Sequence, residues 1–236
     1  NNFNLIKKIG ENSHYKKGLI SPVMSSADKK YIYISEWGAS KIMIYDNKFN
    51  YYGWLGTYDE ITDKIKSDYW TKEKQILDIS LNRPHAVKFD KYNNIYIADS
   101  NNNRIIKLSE NFSIQGFIGK SYNTNNAIVG WEKESFKTSK GNNLGEFDTP
   151  VGMEIYNDNI YIADCFNDRI VKYTLEGLPI GILSINKENN HYYWSKNNDE
   201  KIDINNPYAI IIFDNSLYIA DKQNFKIQVI SLKEID

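Results

Sequence analysis

IYIADSNNNRIIKLSENFSIQGFIGK, residues 95–120, is the stretch that decides the fold. It opens with apolar and polar positions in alternation, the period of a half-buried strand. An Asp-Ser-Asn-Asn-Asn turn breaks it, a second alternating run RIIKL follows, and after another turn a third run closes at Gly119. Asn and Asp favour such turns because their side chains bond back to nearby backbone. Three short strands joined by tight turns form a meander.

The meander is written into the chain four times. Its starts align at Ile32 (IYISEWGASKIMIYD), Ile95 (IYIADSNNNRIIKLS), Ile160 (IYIADCFNDRIVKYT) and Leu217 (LYIADKQNFKIQVIS), spaced 63, 65 and 57 residues apart. A proline opens another short run 10 or 11 residues upstream of each start: Pro22, Pro84, Pro150 and Pro207. Proline suits the first residue of a strand, where its missing N–H need not join the ladder. Each repeat therefore reads as four strands, with YYGWLG (51–56), SIQGFIG (113–119) and PIGILSI (179–185) as the outermost in the first three. The fourth repeat lacks that outer strand. Asn2–Gly10, NFNLIKKIG, matches Asn111–Gly119, NFSIQGFIG, position for position. The N-terminal segment is thus expected to pair with the last repeat and close a ring, hiding a sheet edge. Self-similarity at this period predicts an all-β propeller in one domain, 1–236. It has four four-stranded blades, near 19–57, 82–120, 148–185 and 205–236 plus 1–10. An open arc completed by a second copy is the alternative.

The pattern Pro-x-x-hydrophobic followed by hydrophobic-Tyr-Ile-Ala-Asp-x-x-Asn-x-Arg-Ile resembles the NHL repeat, a β-propeller family. Repeats two and three carry it best, with Asp99, Asn102, Arg104 and Asp164, Asn167, Arg169. Repeat four keeps Asp221 and Asn224 but has Lys226, and repeat one has Glu36, Ala39 and Lys41. Family members more often have six blades, so four is a departure. The resemblance implies a fold and little about function, because such propellers host unrelated activities. A residue repeated once per blade serves hairpin architecture, since one active site does not need four copies. Asp99, Asp164, Asp221, Arg104 and Arg169 are therefore assigned to structure.

The repeats also resemble those of the peptidyl-hydroxyglycine amidating lyase, a propeller whose central zinc is held by three histidines. In this chain only His85 follows a strand-opening proline; its equivalents are Val23, Val151 and Tyr208, and His14 and His191 fall between blades. A catalytic zinc takes about three protein ligands, so no cofactor is expected, a divalent metal lacks support, and His85 reads as a polar lining residue. G-x-S-x-G, HExxH, P-loop and dinucleotide glycine patterns are absent from the sequence. Asp90 and Glu154 near the inner strands read as turn or surface carboxylates. The net charge of -1 argues against nucleic acid, including the RNA bound by some NHL propellers. Cys165 is the sole cysteine, which excludes an internal disulfide framework. No apolar run reaches the length of a membrane span. The chain starts at Asn1, as after removal of a leader or trimming, and a periplasmic or extracellular location is slightly favoured over the cytosol. The abundance of Asn, Lys, Ile and Tyr has the look of a bacterial genome's composition.

Aromatic residues make up 14% of the chain, and the inserts between blades, 57–82, 120–147 and 186–205, each carry one tryptophan. These are Trp70 (DYWTKEK), Trp131 (VGWEKES) and Trp194 (YYWSKNN). All three inserts join an outer strand to the next inner one, so their tryptophans, with Tyr193, are candidates for a platform on one rim. The competing role for each is to cap the gap between neighbouring blades. Trp37, which stands where the other repeats have Ser100, Cys165 and Lys222, is a further candidate contact, as is His85. The resulting expectation is a non-enzymatic binding or scaffold propeller that recognises a protein, peptide or glycan through its inserts. The alternative is a lyase or hydrolase working at the channel mouth near His85.

Overall fold

In the computed structural model, the described residues are 21–59, 71–133, 137–197 and 202–235. The chain divides into two compact units, Asn1–Val87 and Lys88–Asp236. The first contains one sheet, β1 (Pro22–Ala27), β2 (Tyr31–Glu36), β3 (Lys41–Asp46) and β4 (Tyr51–Leu55) in sequence order, with β5 (Gln75–Leu77) parallel to β4. β6 (Pro84–Phe89) runs across the boundary and begins the second sheet, with β7 (Ile95–Asp99), β8 (Arg104–Leu108), β9 (Ile114–Ser121) and β10 (Thr138–Ser139). The third holds β11 (Pro150–Tyr156), β12 (Asn159–Asp164), β13 (Arg169–Thr174), β14 (Pro179–Asn186) and β15 (His191–Ser195). The fourth holds β16 (Pro207–Phe213), β17 (Ser216–Asp221) and β18 (Lys226–Ser231). Each sheet is an up-and-down meander, the blade of a β-propeller, and the chain is all-β with four such blades.

The four prolines sit where the sequence places them, at the first residue of β1, β6, β11 and β16. A register shift follows the proline in the first, third and fourth blades, between Pro22 and Met24, Pro150 and Met153, and Pro207 and Ala209. Such a bulge bends the strand and lets it turn away from the ladder. At the second hairpin of every blade one residue takes a left-handed conformation: Ser40, Asn103, Asp168 and Phe225. Asn and Asp tolerate that conformation; a bulky side chain does not do so readily.

Blades one to three differ from the expected four strands, because each insert returns a short fifth strand to the outer edge. In blades one and three the physical reason is a glycine in the outermost repeat strand. A Cβ on Gly53 would lie 2.5 Å from Lys74 O just before β5, and one on Gly181 would lie 2.9 Å from the Trp194 Cβ on β15. Without side chains there, the insert backbone lies directly on the strand and covers its open edge. Blade four has three strands among the described residues. The expected pairing of residues 2–10 with it lies outside the described residues.

Within the second unit, blade three packs on blade four through Tyr161, Ala163, Ile170 and Leu183 against Ile210, Leu217, Ile219 and Ile230. Among the described residues no helix is long and apolar enough to cross a membrane.

Candidate functional site

The repeated charged residues close on one another inside each blade. Arg104 Nε donates to Asp99 Oδ2 at 2.8 Å, and Arg169 Nε donates to Asp164 Oδ2 at 2.7 Å. Asn102, Asn167 and Asn224 donate to the same carboxylates at 2.9, 2.8 and 2.9 Å. The other carboxylate oxygen accepts a backbone N–H from the loop that leads into the same blade's inner strand, from Asp148 to Asp164 and from Asn205 to Asp221, both at 2.8 Å. Glu36 takes that role in blade one, accepting from Ser21 N at 3.1 Å. Burial pushes the Asp164 carboxyl up to about 6, against the opposing pull of Arg169, Asn167 and the Asp148 N–H. At Asp221 desolvation also raises the pKa, but the bonds from Asn205, Asn224 and Gln228 outweigh it and hold the carboxyl below the usual range. The carboxylate-guanidinium sets are architecture, as the repeat logic requires.

A second repeated latch ties one blade to the next. The side chain of the left-handed residue accepts the backbone N–H that precedes the next proline. Arg83 N donates to Ser40 Oγ at 3.1 Å, Thr149 N to Asn103 Oδ1 at 2.9 Å, and Asn206 N to Asp168 Oδ1 at 2.7 Å. In blade four this position is Phe225, which has no such acceptor.

His85 is buried; its Nδ1 lies 3.1 Å from Arg83 O, and its carbonyl accepts from Ser35 Oγ. The Arg83 guanidinium stacks 4.0 Å above the half-buried Trp37 ring, so Arg83 links these two candidates. Among the described residues no group of three or more His, Cys, Asp or Glu is arranged to hold a metal ion. Asp90 is a turn residue, accepting from Tyr92 N, Asn94 N and Tyr96 Oη at 2.8, 2.9 and 2.9 Å. Glu154 accepts from Lys88 Nζ at 2.9 Å.

Trp131 and Trp194 are half-buried and lie in matching places on their blades. Trp131 stands 5.7 Å from the Tyr96 ring, with Lys107 Nζ 5.3 Å from Tyr96 and 5.4 Å from Trp131. Trp194 stands 5.7 Å from Tyr161, with Lys172 Nζ 5.3 Å from both rings. A lysine flanked by two aromatic rings is a cation–π arrangement that gains strength as it is desolvated, and burial holds the Lys107 ammonium below its ordinary pKa. Trp131 Nε1 also donates to Leu175 O of blade three at 2.8 Å. Both indoles therefore have contacts inside the fold; Tyr193 is half-buried beside Trp194 on β15, and Trp70 lies outside the described residues.

The surface that sequence reasoning missed is one face of blade four. Cross-strand register places Ala209, Ala220 and Ile227 in one row, Ile211, Tyr218 and Val229 in the next, and Phe213, Ser216 and Ser231 in the third. None of these side chains is charged. Ile211, Phe213, Ile227 and Val229 are 55%, 70%, 63% and 56% exposed. The turn at one end adds Phe225, 90% exposed, beside a cleft of about 510 Å³ lined by Tyr208, Ala220, Lys222 and Ile227 among others. The opposite face of the sheet is the one packed on blade three. A signal for this face was present in the aligned repeats: where blade three has Glu154, Asp168 and Lys172, blade four has Ile211, Phe225 and Val229.

Residues 81–108 match the NHL repeat. The match covers the proline, the IYIAD strand and the arginine of blade two. No curated protein matches the chain. Among solved structures it is similar to a streptogramin B lyase, at 17% identity and a TM-score of 0.48 over 91% of this chain and 52% of that one. It is similar to an auxiliary nutrient binding protein from Bacteroides thetaiotaomicron, at 15% identity and a TM-score of 0.47 over 84% of this chain and 44% of that one. A Bacteroides caccae protein aligns at 10% identity and a TM-score of 0.48 over 91% of this chain and 64% of its own. The chain spans roughly half the length of these structures.

Proposed function

We propose that this chain is a non-enzymatic binding propeller and that it recognises a protein surface through the exposed face of blade four. One observation carries the reading: a three-stranded sheet face on which Ile211, Phe213, Ile227 and Val229 are exposed around a half-buried Tyr218, with no charged side chain in its three cross-strand rows. Contiguous exposed apolar patches mark interaction sites. The rows hold few groups able to read the hydroxyls of a sugar, so a protein or peptide fits this surface better than a glycan. The insert tryptophans support the blades in this reading, and Trp37 with Arg83 is a separate, smaller feature.

A thermal-melt panel tests the proposal, because ligands that bind only the native state raise its midpoint. The panel contains apolar and aromatic peptides, glycans, and divalent metals with and without chelator. The expected result is a shift with apolar peptides that disappears in the Ile211→Glu/Val229→Lys double variant. A shift with metal, removed by chelator and by His85→Ala, would replace this reading with the enzyme alternative.

A further inference from the structure

Where one blade meets the next inside the second unit, the residue after the second strand spends its polar group on the chain that opens the following blade. Ser100 Oγ donates to Pro150 O at 2.5 Å, and Cys165 Sγ donates to Asn206 Oδ1 at 2.9 Å. The same two repeat positions in the first unit hold Trp37, just after β2, and Arg83, just before the proline of β6. This pair is spent differently. The Arg83 guanidinium lies 4.0 Å over the Trp37 ring. Among the described residues no carboxylate or carbonyl accepts from that guanidinium, and Trp37 Nε1 has no acceptor.

Arginine is scarce in this chain, three of its 29 Lys and Arg residues. Arg104 and Arg169 are buried in their aspartate pairs, whereas Arg83 is exposed. Elsewhere lysine carries the surface charge, and lysine is enough for solubility. An arginine differs in its planar fork, which meets a carboxylate with two parallel hydrogen bonds and stacks on an aromatic face. Stacking on Trp37 holds the fork in place before anything binds, so less side-chain freedom is lost on contact. Tryptophan and arginine are also the residue types that carry most binding energy at interfaces.

The charge around the stack sets the class of ligand. Gly38, Ala39, Ser40 and Asn82 beside it are uncharged, and Lys41 directs its ammonium to Thr57 O at 3.1 Å. One guanidinium balances one carboxylate, while a phosphate dianion would be left half-neutralised. We infer that the Trp37–Arg83 stack is a binding site for a carboxylate group, the Arg83 fork taking both of its oxygens. The site is built from other residues than the blade-four face and does not rest on that reading.

Two-dimensional ¹⁵N NMR of the full chain tests this through the Trp37 indole and Arg83 Nε signals, assigned from the spectra of Trp37→Ser and Arg83→Asn. The probes are acetate, a blocked glycine–glutamate peptide, and its glutamine and phosphoserine counterparts. Each is titrated to about 20 mM at constant ionic strength, the range that an exposed ionic contact requires. Both signals are expected to move and saturate with the glutamate peptide and to stay still with the glutamine one. Arg83→Asn copies Asn206, which has the same left-handed backbone (φ 58° against 52°), and should abolish the Trp37 response with a melting midpoint within a few degrees of wild type. Arg83→Lys keeps the charge but loses the fork, so binding should weaken several-fold; it serves alone if Arg83→Asn fails to fold. A response to acetate equal to that of the peptide at matched carboxylate supports the site as one for a small free acid, and a tighter peptide response supports it as one for a protein segment. Still signals with both carboxylates, an equal response to the glutamine peptide, a stronger one to phosphoserine, or undiminished binding by either Arg83 variant overturns the inference.

Discussion

Replacing Arg169 by Ala is the most informative single perturbation of the architecture. Its side chain is 1% exposed and donates to Asp164 Oδ2, to the carbonyl of Asn142, and at 3.0 and 2.8 Å to those of Asn143 and Glu146. Removal leaves Asp164, itself fully buried, without its counter-charge, and frees three carbonyls of the 120–147 insert. Breaking a buried pair by deleting one partner costs about 3–5 kcal/mol. The same repeat position in blade four supplies the control. Lys226 is 43% exposed and 3.8 Å from Asp221, so Lys226→Ala should cost no more than about 1 kcal/mol. Urea unfolding followed by circular dichroism measures both, and for a chain of this size each kcal/mol corresponds to a shift in Tm of about 2–4 °C. Adding Asp164→Asn to Arg169→Ala should recover part of the loss, because an amide needs no counter-charge. If Arg169→Ala and Lys226→Ala fall within about 1 kcal/mol of each other, the assignment of these residues to buried architecture fails.

Gly181→Ala brings a Cβ within 2.9 Å of the Trp194 Cβ and its backbone carbon, and should cost about 1–3 kcal/mol with a red shift in tryptophan emission as β15 lifts; unchanged emission and stability would count against direct packing of the insert on the strand. Burial pushes the Cys165 thiol up to about 12, so a disulfide reagent at pH 8 should leave the native protein unlabelled for hours yet react at once in denaturant, and rapid native labelling would contradict its placement. Burial, reinforced by Asp28 and Asp90, raises the pKa of Tyr33 and Tyr96 above the ordinary tyrosine value. A group with its folded pKa raised contributes stability that is complete below its unfolded pKa of about 10 and is lost as pH rises beyond it. Tm should therefore fall above pH 10 in wild type and less steeply in Tyr96→Phe, and parallel slopes in the two proteins would refute the link.

Much of the fold was legible because its determinants are local. Strand alternation, the strand-opening prolines at 22, 84, 150 and 207, and the Asp-x-x-Asn-x-Arg hairpin all act within about a dozen residues. The repeat then showed that the charged residues are structural, and the bonds among Asp99, Asn102 and Arg104 agree with that reading. The fifth strands were not legible. Their sequences are short, and β5 and β15 can lie on the outer strand because Gly53 and Gly181 leave room for a neighbour that arrives through the insert. The same holds for Trp131 and Trp194. An aromatic residue in a polar loop reads equally well as an exposed platform or as a packed cap. Which rings and cations each indole packs against, Tyr96 with Lys107 or Tyr161 with Lys172, is set by the tertiary fold.

The sequence by itself determined the repeat, its strand order and the residues that tie each hairpin, because hydrogen bonds between near neighbours in the chain need no tertiary context. Tertiary structure alone decided which copies of one motif are covered. Tyr161 and Tyr218 are the same letter in the same pattern, yet one is buried and the other half-exposed. Burial belongs to what lies across the next interface, and no local pattern encodes that neighbour.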